Sequence, residues 1–224
     1  LLSAWLVINR DTYTTEVGEQ RTVRLKDGSV LYLNTDSRAR IRFTSGQRVV
    51  RLDHGEALFD VAQESARPFK VVTAGATVQV VGTQFNVRQR DDRVVVSVLE
   101  GRVKLEDRRL PQLLDAGEEA SVQRADGGIV RNAAPDIAQA VAWRDRKLVF
   151  KNARLPEVVA EINRYSHTRF SVEGEEAART ELTATFDADN PESMLAFLQR
   201  FSDLEVRRAG ANVLIRSVKA AGGR

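Results

Sequence analysis

The sequence predicts a mainly β first part followed by a smaller α/β part, and three observations carry that prediction. β-branched residues are plentiful from Thr12 to Val122, short apolar runs there alternate with polar residues, and the apolar period changes after Trp143. Turn dipeptides separate the runs roughly every 8–12 residues, which indicates a sandwich, barrel or solenoid of strands. No long helical stretch interrupts them, so the crossover helices of a doubly wound sheet are missing. The spacing keeps no fixed-length repeat, so a regular short-repeat β-helix is not demanded, and an irregular β-solenoid or roll is expected.

Taken in order, Val23 and Leu25 flank Arg24 ahead of the Asp27-Gly28 turn, and Val30 to Leu33 resumes the pattern. Ala39, Ile41 and Phe43 alternate with Arg38, Arg40 and Arg42, which puts the arginines on a solvated outer face. Ser45-Gly46 precedes Val49 to Leu52, and His54-Gly55 reads as a hairpin turn before Ala57, Phe59 and Val61. Beyond Pro68 come Phe69 to Thr73, Val78 to Val81, Phe85 to Val87, Val94 to Val98 and Val103 to Leu105, with Ala74-Gly75, Asp91-Asp92 and Gly101 among the breaks. Gly117 separates a last pair around Leu114 and Val122.

The stretch from Arg124 to Asn132 contains Asp126-Gly127-Gly128 and reads as a loop, after which Pro135 suits the first turn of a short helix reaching Trp143. Leu148 to Phe150 is then a short strand. Leu155, Val158, Val159, Ile162 and Tyr165 share one helix face, with Pro156 in the first turn where its missing N–H is harmless. Arg169 to Glu173 and Leu182 to Phe186 are strands. Asn190 is placed as the N-cap and Pro191 as the first residue of a helix whose inner side is Met194, Leu195, Leu198 and Phe201. Leu204 to Val206 and Val213 to Ile215 close as a hairpin around Gly210. The order β-α-β then β-α-β-β describes a small α/β sandwich of two related halves. The expected organisation is therefore the end of a transmembrane helix or a leader remnant over residues 1–11, an all-β domain over 12–123, a connector with a short helix over 124–146, the α/β domain over 147–217, and a frayed tail over 218–224.

Composition narrows the function. The 224 residues include no cysteine, which excludes disulfides, thiol catalysis and thiolate metal sites. With 34 basic and 31 acidic residues spread along the chain and aromatics at only 6%, the pattern of a nucleic-acid binder is missing. His54 and His167 form no metal-ligand motif, and no nucleophile elbow, phosphate loop or dinucleotide fingerprint occurs. Glu56 and Asp60 could project to one side of a strand, whereas Glu175-Glu176 and Asp187 to Asp189 fall in loops; nothing marks two of them as a pair across a cleft. The reading is a protein without catalytic activity, cofactor or metal. The run LLSAWLVI at the start is too short to span a membrane, which needs about 20 apolar residues, and reads as the last stretch of a transmembrane helix, a disordered leader or a buried first strand.

Several ungapped stretches carry a resemblance. GEQRTVRLKDGSVLYLNTDSRARIRF (Gly18 to Phe43), RVVRLDHGEALFDVAQESARPFKVVTAGATVQVVGTQFNVR (Arg48 to Arg88) and VSVLEGRVKL (Val96 to Leu105) resemble the FecR domain of sigma regulators, in the same order. AWRDRKLVFKNARLPEVVAEINRYS (Ala142 to Ser166) resembles the C-terminal part of those regulators, itself similar to the short N-terminal signalling domain of secretins and TonB-dependent receptors. Two details depart from the pattern: Arg146 stands where glycine is common, and the helix-start proline is displaced to Pro156.

The resemblance implies the periplasmic region of a single-pass inner-membrane anti-sigma factor of a Gram-negative bacterium, and it favours the membrane-helix reading of LLSAWLVI. Its implied partner is the N-terminal signalling domain of an outer-membrane TonB-dependent siderophore receptor, with periplasmic and intramembrane proteases acting in the pathway. A sigma factor for iron-uptake genes would be met only through a cytoplasmic domain that this stretch does not include. Because like domains pair through sheet edges, the outward residues Arg169, Ser171, Glu173, Glu205 and Arg207 are the expected partner contacts. The alternative is a periplasmic carbohydrate- or envelope-binding β domain.

Overall fold

Strands with one apolar face are stable only when those faces meet, and the first part of the chain meets that need by folding two sheets around one core. The computed structural model describes residues 10–218 except 91, 126, 191 and 202. Most of the expected leader and frayed tail lies outside the described residues, although Arg10 and Asp11, read as leader, begin the first strand, and the Val218 N–H donates to the Asp203 carbonyl at 2.9 Å. The chain divides into a first unit running to Val141, less Val17–Glu19, and a second unit made of Val17–Glu19 with Ala142 onward.

The first unit contains β1 (Arg10–Thr15), β2 (Arg21–Arg24), β3 (Val30–Leu33), β4 (Ser37–Phe43), β5 (Arg48–Asp60), β6 (Phe69–Val72), β7 (Thr77–Val80), β8 (Gln84–Gln89), β9 (Arg93–Glu100), β10 (Arg102–Glu106), β11 (Gln112–Asp115), β12 (Glu119–Gln123) and β13 (Ile129–Arg131), then helix α1 (Ile137–Val141). One sheet has the order β1-β4-β5-β6-β7-β10-β11 and the other β2-β3-β5-β8-β9-β12-β13. A solenoid stacks parallel strands from coil to coil, whereas here β5–β6 is the one parallel pairing among the described residues of this unit, so the architecture is a roll approaching a barrel. Phe59 of the second sheet meets Phe69 of the first edge-on at 6.1 Å and stacks on Phe85 at 5.1 Å, which fixes the centre of the shared core.

Two sequence expectations fail here for one reason: strands cross between sheets. Leu114 and Val122 are not a hairpin pair, because β11 pairs with β10 and β12 with β9. His54-Gly55 is not a turn either; β5 runs through it, pairing first with β4 and β6 and then with β3 and β8. At the crossing the register on β4 steps from Arg38↔His54 to Ala39↔Leu52, leaving Asp53 as the extra residue of a β-bulge. That insertion shifts the inward phase from Arg48, Val50 and Leu52 to Ala57 and Phe59, so both halves of the strand face the core. Gly55 has φ of +86°, and a Cβ there would meet the Ser37 hydroxyl and come within 2.5 Å of the Asp36 carbonyl oxygen. Only glycine lets β4 and β5 close at this corner. The Arg124–Asn132 stretch, read as loop, carries β13, which extends the second sheet.

Arg48 opens β5 facing inward and is fully buried. Its guanidinium donates to Asp27 at 2.9 Å and to the carbonyls of Ala62, Arg67 and Glu64 at 3.0, 2.8 and 3.3 Å, and lies 5.5 Å over the Phe69 ring. Asp27 also accepts from the Ser29 N–H and hydroxyl, and the Ala62 N–H donates to the same hydroxyl at 3.0 Å. The turn between β2 and β3, the start of β5 and the segment after it are thereby held by one satisfied polar hub.

In the second unit a 3-10 turn at Ala142–Asp145 buries Trp143 and leads to β14 (Lys147–Arg154), α2 (Leu155–Ile162), β15 (Arg169–Glu173), α3 (Glu175–Arg179), β16 (Glu181–Asp187), α4 (Ser193–Leu198), β17 (Leu204–Ala209) and β18 (Asn212–Ser217). β14 pairs with β16, and β15-β18-β17 form a three-stranded sheet. The apolar face expected of α2 is buried through Leu155, Val158, Val159 and Ile162, and the Glu157 carboxylate accepts from the Arg154 N–H at the helix start. α3 occupies a stretch read as loop. Glu192, not Asn190, precedes α4; the Asn190 carbonyl accepts from the Ser193 N–H and hydroxyl instead, while the placement of Pro191 lies outside the described residues. Arg146 has φ of +58°, in the left-handed region that favours glycine.

Candidate docking surface

The sequence places the expected contacts on two separate strands, β15 and β17; pairing turns them into one surface. β18 lies between them, parallel to β15 and antiparallel to β17. Phe170, Leu204, Val213 and Ile215 are buried on the inner face, against which α2 and α3 pack. The outer face is a grid with the rows Arg169–Asn212–Ala209, Ser171–Leu214–Arg207 and Glu173–Arg216–Glu205. All five expected contacts therefore share this face. The residues missed are Asn212, Leu214 and Arg216 of β18 and Ala209 of β17. Leu214 was hidden inside the continuous apolar run Val213-Leu214-Ile215, although alternation assigns it to the side opposite its neighbours.

Charges on this face are ordered. Glu205 accepts from Arg207 at 2.6 Å and from Arg216 at 2.8 Å, and those two bonds, Arg207's first, hold its carboxyl below the usual range. On the other face of β17, Arg208 grips Glu192 with two bonds of 2.9 and 3.0 Å, and Arg208 followed by the Thr168 hydroxyl depresses that carboxyl. The Ser171 hydroxyl donates to the Val213 carbonyl at 3.3 Å. The result is a half-buried leucine ringed by polar side chains, with the outer edges of β15 and β17 paired to no strand among the described residues. Such a surface can take a partner by side-chain contact at its centre or by strand addition at its edges.

Elsewhere the residues singled out for chemistry stay apart. Glu56 is buried and accepts from the amides of Asn34 and Asn86 at 3.0 and 2.9 Å, while Asp60, on the same side of β5, is exposed. His54 lies 3.7 Å from Asp36 in the first unit, and His167 is exposed in the second. Glu175, Asp187 and Asp189 pair with Arg179, Lys147 and Arg146. Among the described residues no group of His, Cys, Asp and Glu could hold a metal ion, and no helix is long and apolar enough to cross a membrane.

Comparison with known proteins gives this geometry a family. The model of the FecR protein family matches residues 11–104, and that of the FecR C-terminal region matches residues 147–215, which takes in β15, β17 and β18 as far as Ile215. Two crystal structures of a proposed anti-sigma factor from Parabacteroides distasonis ATCC 8503, at 2.50 and 1.65 Å resolution, are each similar to this chain at 26% identity and a TM-score of 0.79. Each match covers 93% of this chain and 99% of the other. No curated protein sequence matches significantly. The chain belongs to the FecR family and is a FecR-type sigma regulator.

Proposed function

We propose that this chain is the periplasmic, signal-receiving region of a membrane-anchored sigma regulator, and that its second unit receives the N-terminal signalling domain of an outer-membrane TonB-dependent siderophore receptor. One observation carries the docking assignment: the outer face of β15-β18-β17, centred on Leu214, with the β17 edge paired to no strand among the described residues and the β15 edge capped only at Phe170, by the Asn163 side chain. The likeness of this unit to the signalling domain of secretins and TonB-dependent receptors supports pairing between like domains, since a shared strand geometry lets one sheet continue the other. Residues 124–146 relay docking to the membrane-proximal stretch, whose exposure to proteases sets the release of the sigma factor and the transcription of iron-uptake genes.

Isothermal titration of the chain against receptor signalling domains tests the reading, with hydrogen exchange locating the contact. Protection is expected in β15, β17 and β18. Leu214→Asp should weaken binding at least tenfold, about 1.4 kcal/mol, while leaving thermal stability nearly unchanged, because this side chain sits outside the core. Protection confined to residues 18–105 would overturn the assignment to the second unit.

A further inference from the structure

We infer that the outer face of β4, β5 and β6 in the first unit lies against an anionic phospholipid surface. Arg38, Arg40 and Arg42 of β4, Arg51 of β5 and Lys70 of β6 all point outward, and the register places Arg42, Val49 and Lys70 in one row and Arg40, Arg51 and Val72 in the next. Asp53 is the one carboxylate at the described outward positions of this stretch. It serves Arg40 at 2.6 Å, Arg51 at 3.1 Å and Arg38 at 3.7 Å, so one negative charge faces three guanidiniums. Arg42 and Lys70 have no acidic partner among the described residues.

The charge is local to this face. Where β5 continues into the second sheet, the side of the strand turned away from that core carries Glu56 and Leu58, both buried, and the exposed Asp60, with no cation. Placement adds a second argument. β4 pairs with β1, and β1 starts at Arg10, one residue after the apolar sequence LLSAWLVI. Chemistry separates lipid from nucleic acid: the outward positions of these strands hold no aromatic side chain on which a base could stack, whereas a strand-backed array of cations suits a plane of phosphate headgroups.

Flotation of the whole chain with vesicles tests this, comparing phosphatidylcholine alone with phosphatidylcholine containing phosphatidylglycerol. Phosphatidylcholine reads any contribution from the apolar run, and the difference between the vesicles reads the basic face. Binding to the anionic vesicles should be stronger and should fall steeply with added salt. Each neutralised cation should weaken it about fivefold, so Arg40→Gln/Arg42→Gln/Lys70→Gln should lower it about a hundredfold. Arg169→Gln/Arg207→Gln in the second unit should leave it unchanged. Equal binding to both vesicles, insensitivity to the first-unit triple variant when circular dichroism shows it folded, or loss of binding in the second-unit variant would each overturn the inference. Retention of the chain on an acidic protein or polyanion without preference for anionic vesicles would do the same.

Discussion

Replacing Arg48 by methionine keeps the length of the side chain but strands the Asp27 carboxylate. The arginine side chain is 0% exposed and that of Asp27 2% exposed, so water cannot take over the lost contact without opening the turn between β2 and β3. Breaking a buried pair by removing one partner costs about 3–5 kcal/mol, a large part of the roughly 5–15 kcal/mol that holds a domain together. With a urea dependence of about 2 kcal/mol per molar, the unfolding midpoint of the first unit should drop by about 2 M. Far-UV circular dichroism through a urea titration measures the drop, and hydrogen exchange in β5 assigns it to the correct unit. Asp27→Asn combined with Arg48→Met removes both charges, so the double variant should recover at least about 2 kcal/mol relative to the sum of the singles. A midpoint shift under 0.5 M for Arg48→Met, or strict additivity in the cycle, would refute the view that the pair is coupled.

The backbone at Arg146 gives a second prediction. Glycine and alanine at this position both lose the half-exposed pair with Asp189, so the left-handed strain of about 1–2 kcal/mol alone separates them, and Arg146→Gly should melt several degrees above Arg146→Ala. An alanine variant melting as high as the glycine variant would show that the turn carries no strain. Gly55→Ala adds left-handed strain and a collision with β4, and should destabilise the first unit by about 3 kcal/mol or more in chemical denaturation; a loss under about 1 kcal/mol would mean that the corner has slack. Their arginine partners hold the Glu192 and Glu205 carboxyls below the usual carboxylate range, so these pairs stabilise the second unit fully above that range and are lost as the pH falls through the depressed folded values. Melting curves from pH 7 downward should therefore fall less steeply in acid for Glu192→Gln/Glu205→Gln than for the parent, and parallel curves would contradict the assignment.

Local structure was readable where a single element decides its own fate. Alternation located most strands, and the spacing from Leu155 to Ile162 gave α2, because burying one face is enough to explain each. Partnership was not readable. The parallel contact of β15 with β18, the separation of β11 from β12 and the passage of β5 through His54-Gly55 are settled by residues far apart in the chain. β13 sits beside a glycine pair that signals a turn, and α3 is a short, largely polar helix whose one buried residue, Ala177, leaves no apolar period. The five proposed docking residues were legible as outward positions on two strands. Their assembly around Leu214 was not, since only the pairing of β18 shows that this leucine points away from the core. Arg48 is a similar case: an arginine at an inward phase becomes intelligible only once Asp27 and three carbonyls converge on it.

A single strand that belongs to two sheets has a mechanical consequence. β5 is the crossbeam of the first unit, and any cut between Arg48 and Asp60 would take an interior strand from both sheets at once, together with the Arg48 hub at one end and Phe59 near the other. Erosion sheet by sheet is then closed to this unit; its hydrogen-bond ladders hold or fail together. For a protein whose family works through signalling, that all-or-none yielding suits a switch better than a dial.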